Sequence, residues 1–340
     1  MDIKTAIRHL TQQQDISAQD MITLMREIMT GQCTGAQIGA FLVALQIKGV
    51  KPSELLGAAT VMRELVTRVE VADKQHLVDT CGTGGTGKDT FNISTSSAMV
   101  AACAGARVAK HGNRAATSKS GSADLLEAAG VKLDLGPDKV ARCIETVGVG
   151  FMFAPGHHSA MKHVGPARRE IGVRTIFNVL GPLTNPAAAP NQVLGVYAPQ
   201  LIDIMLDVLK SLGSEHVLMF ASDDGLDEIS ISANTQVGEL RGGIIRHYVI
   251  RPEDFGIKRR DGFAMLKVDS AQESLTMVRR ALCYDDEAAG DIVALNAGAA
   301  MYSANVVDSL SAGVARAQQI LHSGAALAKL EELAAFSSTV

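Results

Sequence analysis

Short apolar runs alternate with stretches of helical periodicity from residue 77 to residue 250, and nothing of the kind occurs before residue 70. That change of pattern constrains the fold more than any other feature. Strands separated by helices build a mostly parallel sheet with helices on both faces. We read strands over residues 77–81, 107–110, 149–153, 192–197, 216–221, 228–231, 235–240 and 246–250. Helices are expected near 95–104, 122–129, 137–147 and 199–212, and again beyond Ser270. The closely spaced strands from 228 to 250 are expected to be antiparallel.

The first 70 residues read as helix only. A short amphipathic helix covers 3–10, and Ser17 with Asp20 opens a second through Ile28. Thr34 is placed to cap a third through Ile47, and Pro52 to open a fourth reaching about Val69. Ile38, Phe41, Leu42 and Leu45 recur at helical spacing. The fold class is therefore α/β: a small all-helical N-terminal domain, 1–72, and a large α/β domain, 73–340, with a mostly parallel central sheet. At 340 residues, two domains is also the expected number.

Composition narrows the partners. The chain is 47% hydrophobic and 20% charged, which excludes a disordered or fibrous protein. A net charge of −4 gives no global attraction to nucleic acid or anionic lipid, so an anion site must be local. The five cysteines are odd in number and form no CxxC pair, so reduced thiols and a cytoplasmic location are expected. No signal-like apolar stretch opens the chain and no run of about 18 apolar residues exists, so no membrane partner is expected.

The segment from Val78 to Asp89 leaves a strand and is rich in glycine. Gly82, Gly84 and Gly87 satisfy GxGxxG, and Gly82, Gly87 and Lys88 satisfy most of GxxxxGK[ST]. Glycine lets backbone N–H groups approach phosphate oxygens. The dinucleotide pattern lacks its acidic residue about 20 positions on, and the nucleotide loop has Asp89 where Ser or Thr should ligate Mg²⁺. A plain turn is the bland alternative. The following stretch argues against it: from Thr90 to Ala123 there is no acid, only Arg107, Lys110, Arg114, Lys119 and His111. Asn92, Ile93, Ser94 and Thr95 sit where a helix should begin, a place that favours anions. A ligand bearing a polyphosphate is the better reading.

Such a ligand needs a cation, usually Mg²⁺ held by carboxylates and phosphates. Asp223, Asp224, Asp227 and Glu228 crowd one turn without EF-hand spacing. An acidic turn alone is more often simply solvated; beside a phosphate loop it becomes a magnesium site. His157, His158 and His163 lack the HExxH pattern and nearby cysteines, so a pocket rim reads better than zinc. Arg168 and Arg169 offer forks for a carboxylate, although an exposed helical Arg is the ordinary case. No Ser-His-Asp triad or cysteine nucleophile is legible. The residues alone give a Mg²⁺-assisted enzyme acting on a phosphorylated or pyrophosphorylated substrate.

Taken together, residues 81–87, 92–95, 110–126, 153–186 and 224–230 closely resemble the anthranilate phosphoribosyltransferases. Lys110-His111-Gly112-Asn113-Arg114 and Gly181-Pro182-Leu183-Thr184-Asn185-Pro186 are the specific stretches. The resemblance covers nearly the whole chain. It implies a homodimer through the helical domain, helices near 165–190 joined to that domain, and a site between the two domains. It implies transfer of phosphoribosyl from phosphoribosyl pyrophosphate to anthranilate, in tryptophan biosynthesis. By position, phosphoribosyl pyrophosphate would meet Gly82, Gly85, Thr86, Thr90, Asn92, Ile93, Ser94, Thr95, Lys110, His111, Gly112, Asn113, Arg114, Ala115, Ala116, Thr117, Ser118 and Ser122. Anthranilate would meet Gly82, Asn113, Arg168, His111, His158 and Pro182. Ser94, Asp227 and Glu228 would hold Mg²⁺. The family's glycine loop usually has Asp where this chain has Thr86. A pyrimidine nucleoside phosphorylase shares the implied fold, but the acid cluster and residues 110–118 favour pyrophosphate with metal. A nucleic-acid-binding relative would show a basic groove and a damaged acid cluster, and this chain shows neither.

Overall fold

The computed structural model describes residues 1–115 and 118–340. It opens with four helices: α1 (Ile3–Thr11), α2 (Ala18–Met29), α3 (Gly35–Lys48) and α4 (Pro52–Leu65). The expected caps form. Ser17 Oγ accepts the Asp20 N–H at 3.0 Å. Thr34 and Gln37 exchange side-chain and backbone bonds in a capping box. The fourth helix stops at Leu65 rather than near Val69. Beyond it Thr67 N–H donates to the His157 carbonyl and Val69 N–H to the Pro186 carbonyl, so this strip ties the helices to later loops.

The remainder runs β1 (Leu77–Gly82), α5 (Ile93–Cys103), β2 (Arg107–Gly112), α6 (Ser122–Ala128), α7 (Pro137–Val147) and β3 (Val149–Phe153). Then follow α8 (Ala154–His157), α9 (Gly165–Ile171), α10 (Phe177–Leu180), β4 (Asn191–Gly195), α11 (Leu201–Ser211) and β5 (His216–Ser222). The hairpin β6 (Thr235–Arg241) and β7 (Ile244–Ile250) precedes α12 (Ala271–Leu282), α13 (Glu287–Ser303), α14 (Leu310–His322) and α15 (Ala325–Ser337). The seven strands form one sheet in the order β3-β2-β1-β4-β5-β6-β7. The first five are parallel, and β6 and β7 are antiparallel.

One expected strand does not form. Residues 228–231 are irregular because side chains take their backbone groups. Asn296 Oδ1 accepts the Ile229 N–H at 2.9 Å and its Nδ2 donates to the Ile229 carbonyl at 3.0 Å. Thr235 Oγ1 accepts the Ser230 N–H. The Ile231 carbonyl accepts the Arg260 N–H, so these groups are not free for a ladder.

Two large cores flank the sheet, and a smaller third one joins α7, β2, β3 and residues 69–77. On one face α13, apolar on every side, lies buried beneath α5, α12, α14 and α15. On the other, α11 and the short helices α9 and α10 share a continuous core with α1–α4. Among the described residues no helix is long and apolar enough to cross a membrane.

Candidate active site

The sheet changes direction between β1 and β4: β2 and β3 lie beyond β1, and β5 lies beyond β4. Loops at the carboxyl ends of parallel strands diverge at such a point and leave a crevice. Gly82, Gly112, Gly195 and Ser222 end β1, β2, β4 and β5. The glycine loop, the loop before α6 and the acid turn therefore open along one edge.

Missing Cβ atoms let these loops close up. A Cβ on Gly195 would lie 1.7 Å from the Asp227 carbonyl oxygen, and one on Gly82 would lie 3.0 Å from Asp227 Oδ2. Gly84 N–H donates to that same Oδ2 at 3.1 Å. Thr83 N–H donates to the Gly195 carbonyl at 2.9 Å, and Thr83 Oγ1 accepts the Tyr197 N–H at 3.1 Å. Gly84, Gly85 and Gly87 have φ of +61°, +74° and +65°, a backbone that other residues rarely adopt. Thr86 sits half-buried among them, and Thr90 bridges Lys267 at the end of the loop.

Asn92 precedes α5 without capping it. Its Oδ1 accepts from Ser120 Oγ and Ser274 Oγ, both at 2.7 Å, and its Nδ2 donates to the Ser120 carbonyl at 3.2 Å. Asn92 thus ties the loop before α6 and the start of α12 to α5, and leaves the helix's first turn open toward the crevice. Thr95 Oγ1 is buried there without a partner. Lys110, fully buried, donates to the Thr80 carbonyl and, at 3.2 Å, to Ser94 Oγ. Burial lowers its pKa, and Asp79, Cys81 and Glu228 oppose that. Burial raises Asp79 to about 6; its Oδ1 accepts the His111 N–H at 3.1 Å.

The four acids of the turn divide into two pairs. Asp224 Oδ2 accepts from Ser230 Oγ at 2.5 Å and Ser232 Oγ at 2.6 Å, and Asp223 accepts from Gln236 Nε2, so these two shape the turn. Asp227 and Glu228 are half-buried at the crevice. Desolvation raises both, and the neighbouring Asp227 charge helps push Glu228 up to about 8; Lys110 and the Ser94 N–H act the other way. Asp227 and Glu228 are neighbouring carboxylates whose ionisation burial opposes, and a bound cation would favour it. That donor set fits a divalent cation. Among the described residues no group of three or more His, Cys, Asp or Glu is arranged to hold a metal, so phosphate and water oxygens would complete the shell.

Residues 113–115 and 118–122 are held from the start of α6. Asp124 Oδ2 accepts the N–H groups of Ala115 at 2.9 Å and Gly121 at 3.0 Å. Ser122 Oγ donates to the Asn113 carbonyl at 3.3 Å, and a Cβ on Gly112 would collide with that hydroxyl. Ser118 is half-buried. Ala116 and Thr117 lie outside the described residues. Arg114 turns along α6 to pair with Asp124 at 3.0 Å and Glu127 at 2.7 Å. Arg107, at the opposite end of β2, pairs with Asp73. Of the cations in the acid-free stretch, Lys110 is the one seated against Ser94 and Glu228.

His111 and His158 meet at 3.2 Å between their Nε2 atoms. Burial, with the neighbouring imidazoles, lowers them to about 3 and about 4, so both are neutral at pH 7. Pro182 is buried next to its partner Gln192, whose Nε2 donates to the Pro182 carbonyl at 2.7 Å. Arg168 projects from α9, half-buried, 5.2 Å from the Phe177 ring centre. It has no carboxylate partner among the described residues.

Family comparisons give the same picture over the whole chain. A model of the glycosyl transferase family a/b domain matches residues 74–327, and one of that family's helical bundle domain matches residues 4–66. The anthranilate phosphoribosyltransferase of Thioalkalivibrio sulfidiphilus is 56% identical over 339 residues, covering 100% of both chains. That of Cellvibrio japonicus is 55% identical over 99% of both. The chain belongs to the anthranilate phosphoribosyltransferase family. Among solved structures, the family member from Thermus thermophilus superposes with a TM-score of 0.90 at 41% identity, covering 98% of this chain and 99% of that one. The Saccharomyces cerevisiae enzyme in complex with PRPP and Mg superposes with a TM-score of 0.88 at 25% identity, covering 99% and 98%.

Three contributors to this family site are not evident in the sequence pattern. Asp79 supports Lys110 and His111 from below; a polar residue inside an apolar strand run was its only signal. Asn296 clamps the acid turn from α13, and in sequence it is one amide in an apolar helix. Arg174 reaches the Gly85 carbonyl from the linker after α9, and nothing local marks it.

Proposed function

We propose that the chain transfers the phosphoribosyl group of phosphoribosyl pyrophosphate to the amine of anthranilate, giving N-(5-phosphoribosyl)anthranilate and pyrophosphate, a step of tryptophan biosynthesis. The observation that carries this reading is the glycine loop bonded directly to the acid turn, in a chain matched end to end by family members. The bond from ribose C1′ to the pyrophosphate oxygen breaks, the amine nitrogen bonds to C1′, and the amine gives up a proton. The amine is neutral at pH 7, so the difficult event is departure of pyrophosphate with positive charge growing on the ribose. Charge stabilisation and alignment of two substrates serve that event better than a strong base.

The residues divide accordingly. Gly82, Gly85, Thr86 and Thr90, with residues 92–95, receive the pyrophosphate. Lys110 to Ser118, and Ser122, hold phosphate and ribose. Asn113 and Arg168 meet anthranilate, the Arg168 fork facing its carboxylate, while His111, His158 and Pro182 flank the ring. Ser94, Asp227 and Glu228 would hold Mg²⁺, which supplies charge neutralisation to the leaving pyrophosphate. The complex of the yeast enzyme with PRPP and Mg supports both ligands. No nucleophile or base is assigned.

The same reading divides the chain at residues 72 and 73, with the helices near 165–190 attached to the helical unit, and places the enzyme in the cytoplasm as a homodimer. Ile47 at the end of α3 and Leu65 at the end of α4, 72% and 37% exposed, are apolar contacts that the bundle offers a second copy. Sedimentation as a monomer at micromolar concentration would remove the dimer. The reaction itself is tested by mixing protein, anthranilate, phosphoribosyl pyrophosphate and Mg²⁺ and following anthranilate fluorescence. Loss of signal only when all four are present is expected; a flat trace sinks the reading.

A further inference from the structure

Arg174 lies in the five-residue linker between α9 and α10, helices that pack on α3 and α4 of the bundle. Its side chain crosses to the sheet's carboxyl edge. There the guanidinium sits 4.1 Å from the Tyr197 ring centre and donates to the Gly85 carbonyl. Tyr197 follows β4, and its own N–H donates to Thr83 Oγ1. Three segments distant in sequence therefore meet at one guanidinium: the glycine loop, the turn after β4 and the connector of the helical unit. Arg174 is exposed and has no carboxylate partner among the described residues, so no surface ion pair accounts for its position.

The glycine loop needs such a hold. Four of the residues from 82 to 87 are glycines, three of them left-handed, and each loses much freedom when the loop takes one shape. Among the described residues the contacts that fix it are few: Thr83 on Gly195 and Tyr197, Gly84 on Asp227, and Arg174 on Gly85. The first two belong to the sheet and the acid turn. The third alone comes from the helical side. A planar guanidinium stacked on an aromatic ring is held in orientation before it donates, so little freedom remains to be lost.

We propose that Arg174 is a positioning residue that holds the glycine loop in its pyrophosphate-binding shape through the Gly85 carbonyl. It rests on the reading of that loop as the pyrophosphate cradle. Arg174 pre-forms the loop from across the crevice, and a pre-formed loop binds its ligand without an ordering cost. Its effect falls on phosphoribosyl pyrophosphate and not on anthranilate.

The test combines turnover with hydrogen exchange on the full-length protein. Arg174→Ala should raise the KM for phosphoribosyl pyrophosphate about fivefold or more while the anthranilate KM stays within about twofold. Without any ligand, exchange at residues 83–88 should quicken in Arg174→Ala and leave the strands unaffected. Arg174→Gln retains a donor for the carbonyl without the charge, and should recover much of both losses. Unchanged exchange in Arg174→Ala overturns the proposal. So does an equal rise in both KM values, or a glutamine variant with wild-type exchange and an alanine-like KM, which would mean the charge acts on the substrate directly. A wild-type protein that fails to turn over would instead sink the proposed reaction, and the exchange measurement would still decide the role of Arg174.

Discussion

Gly84 donates its backbone N–H to Oδ2 of Asp227 at 3.1 Å, across 143 positions of sequence. One carboxylate thereby serves two elements: it fixes the glycine loop and, beside Glu228, faces the site where a cation would lie. A ligand phosphate drawn to the loop is brought against the cation in the same movement. The glycine loop and the acid turn form a single device.

That device predicts the effect of neutralising it. Asp227→Asn with Glu228→Gln keeps the shape and removes the charge that would offset Mg²⁺. Turnover should fall at least tenfold, about 1.4 kcal/mol of barrier. Thermal stability should not fall, because burial already disfavours both charges in the protein without metal, and Asp227 further disfavours that of Glu228. Wild-type activity at low Mg²⁺ would show that the metal is held by other groups.

Arg168 should act on the other substrate. It has no acid partner among the described residues, and burial lowers its pKa, so a carboxylate is what it lacks. Arg168→Ala should raise the anthranilate KM at least tenfold and change that of phosphoribosyl pyrophosphate little. Initial rates against each substrate in turn decide this; equal changes would mark Arg168 as structural.

Away from the site, Glu239 should govern acid stability. Its carboxylate accepts from His216 at 3.2 Å, Tyr302 at 2.9 Å and Tyr248 at 3.1 Å. The His216 bond chiefly, with help from the two tyrosines, holds it down at about 2 against an ordinary value of 4.5. A folded pKa below the unfolded one gives stability that is complete above about pH 4.5 and is lost as pH falls toward 2. Glu239→Gln should cost about 2 kcal/mol at pH 7. Urea midpoints should show the gap from wild type narrowing below pH 4.5. A gap that stays constant to pH 3 would exclude the Glu239 charge as its source.

The elements that could be read from sequence were those with local causes. Ser17, Thr34 and Pro52 start their helices through contacts within four residues, and the strands of the parallel sheet carry their own apolar runs. The glycine loop and the acid turn were legible because their composition is extreme. What escaped depends on partners far away. Residues 228–231 look like a strand until Asn296 takes the Ile229 backbone. The missing acids between Thr90 and Ala123 suggested four free cations, but Asp124 and Glu127 fold back on Arg114 from just outside that window. That α9 to α11 share one core with the N-terminal helices likewise rests on packing between segments far apart in sequence.

The sharpest consequence of the packing concerns Gly195. Neither Gly82 nor Gly195 has a left-handed backbone, so only space separates them from alanine. At Gly195 the added Cβ would lie 1.7 Å from the Asp227 carbonyl oxygen, a backbone atom. That backbone yields only at a cost, because Asn296 holds Ile229, two residues on, at both its N–H and its carbonyl. β4 is equally fixed, paired with β1 at Gly82 and with β5 at Phe220. At Gly82 the obstacle is Asp227 Oδ2 at 3.0 Å, the end of a side chain that can rotate. Gly195→Ala should therefore cost about 3 kcal/mol of stability, the upper end for overpacking. It should also abolish turnover by forcing Asp227 out of place. Gly82→Ala should cost under about 1 kcal/mol, since a side chain yields more easily than a backbone. Its turnover should require more Mg²⁺, because the yielding group is the carboxylate that faces the metal. Urea unfolding of both variants, with rates against Mg²⁺ for the second, separates the two effects. Equal losses of stability would mean that the acid turn moves freely over β4, and the rigid union of loop and turn would have to be abandoned.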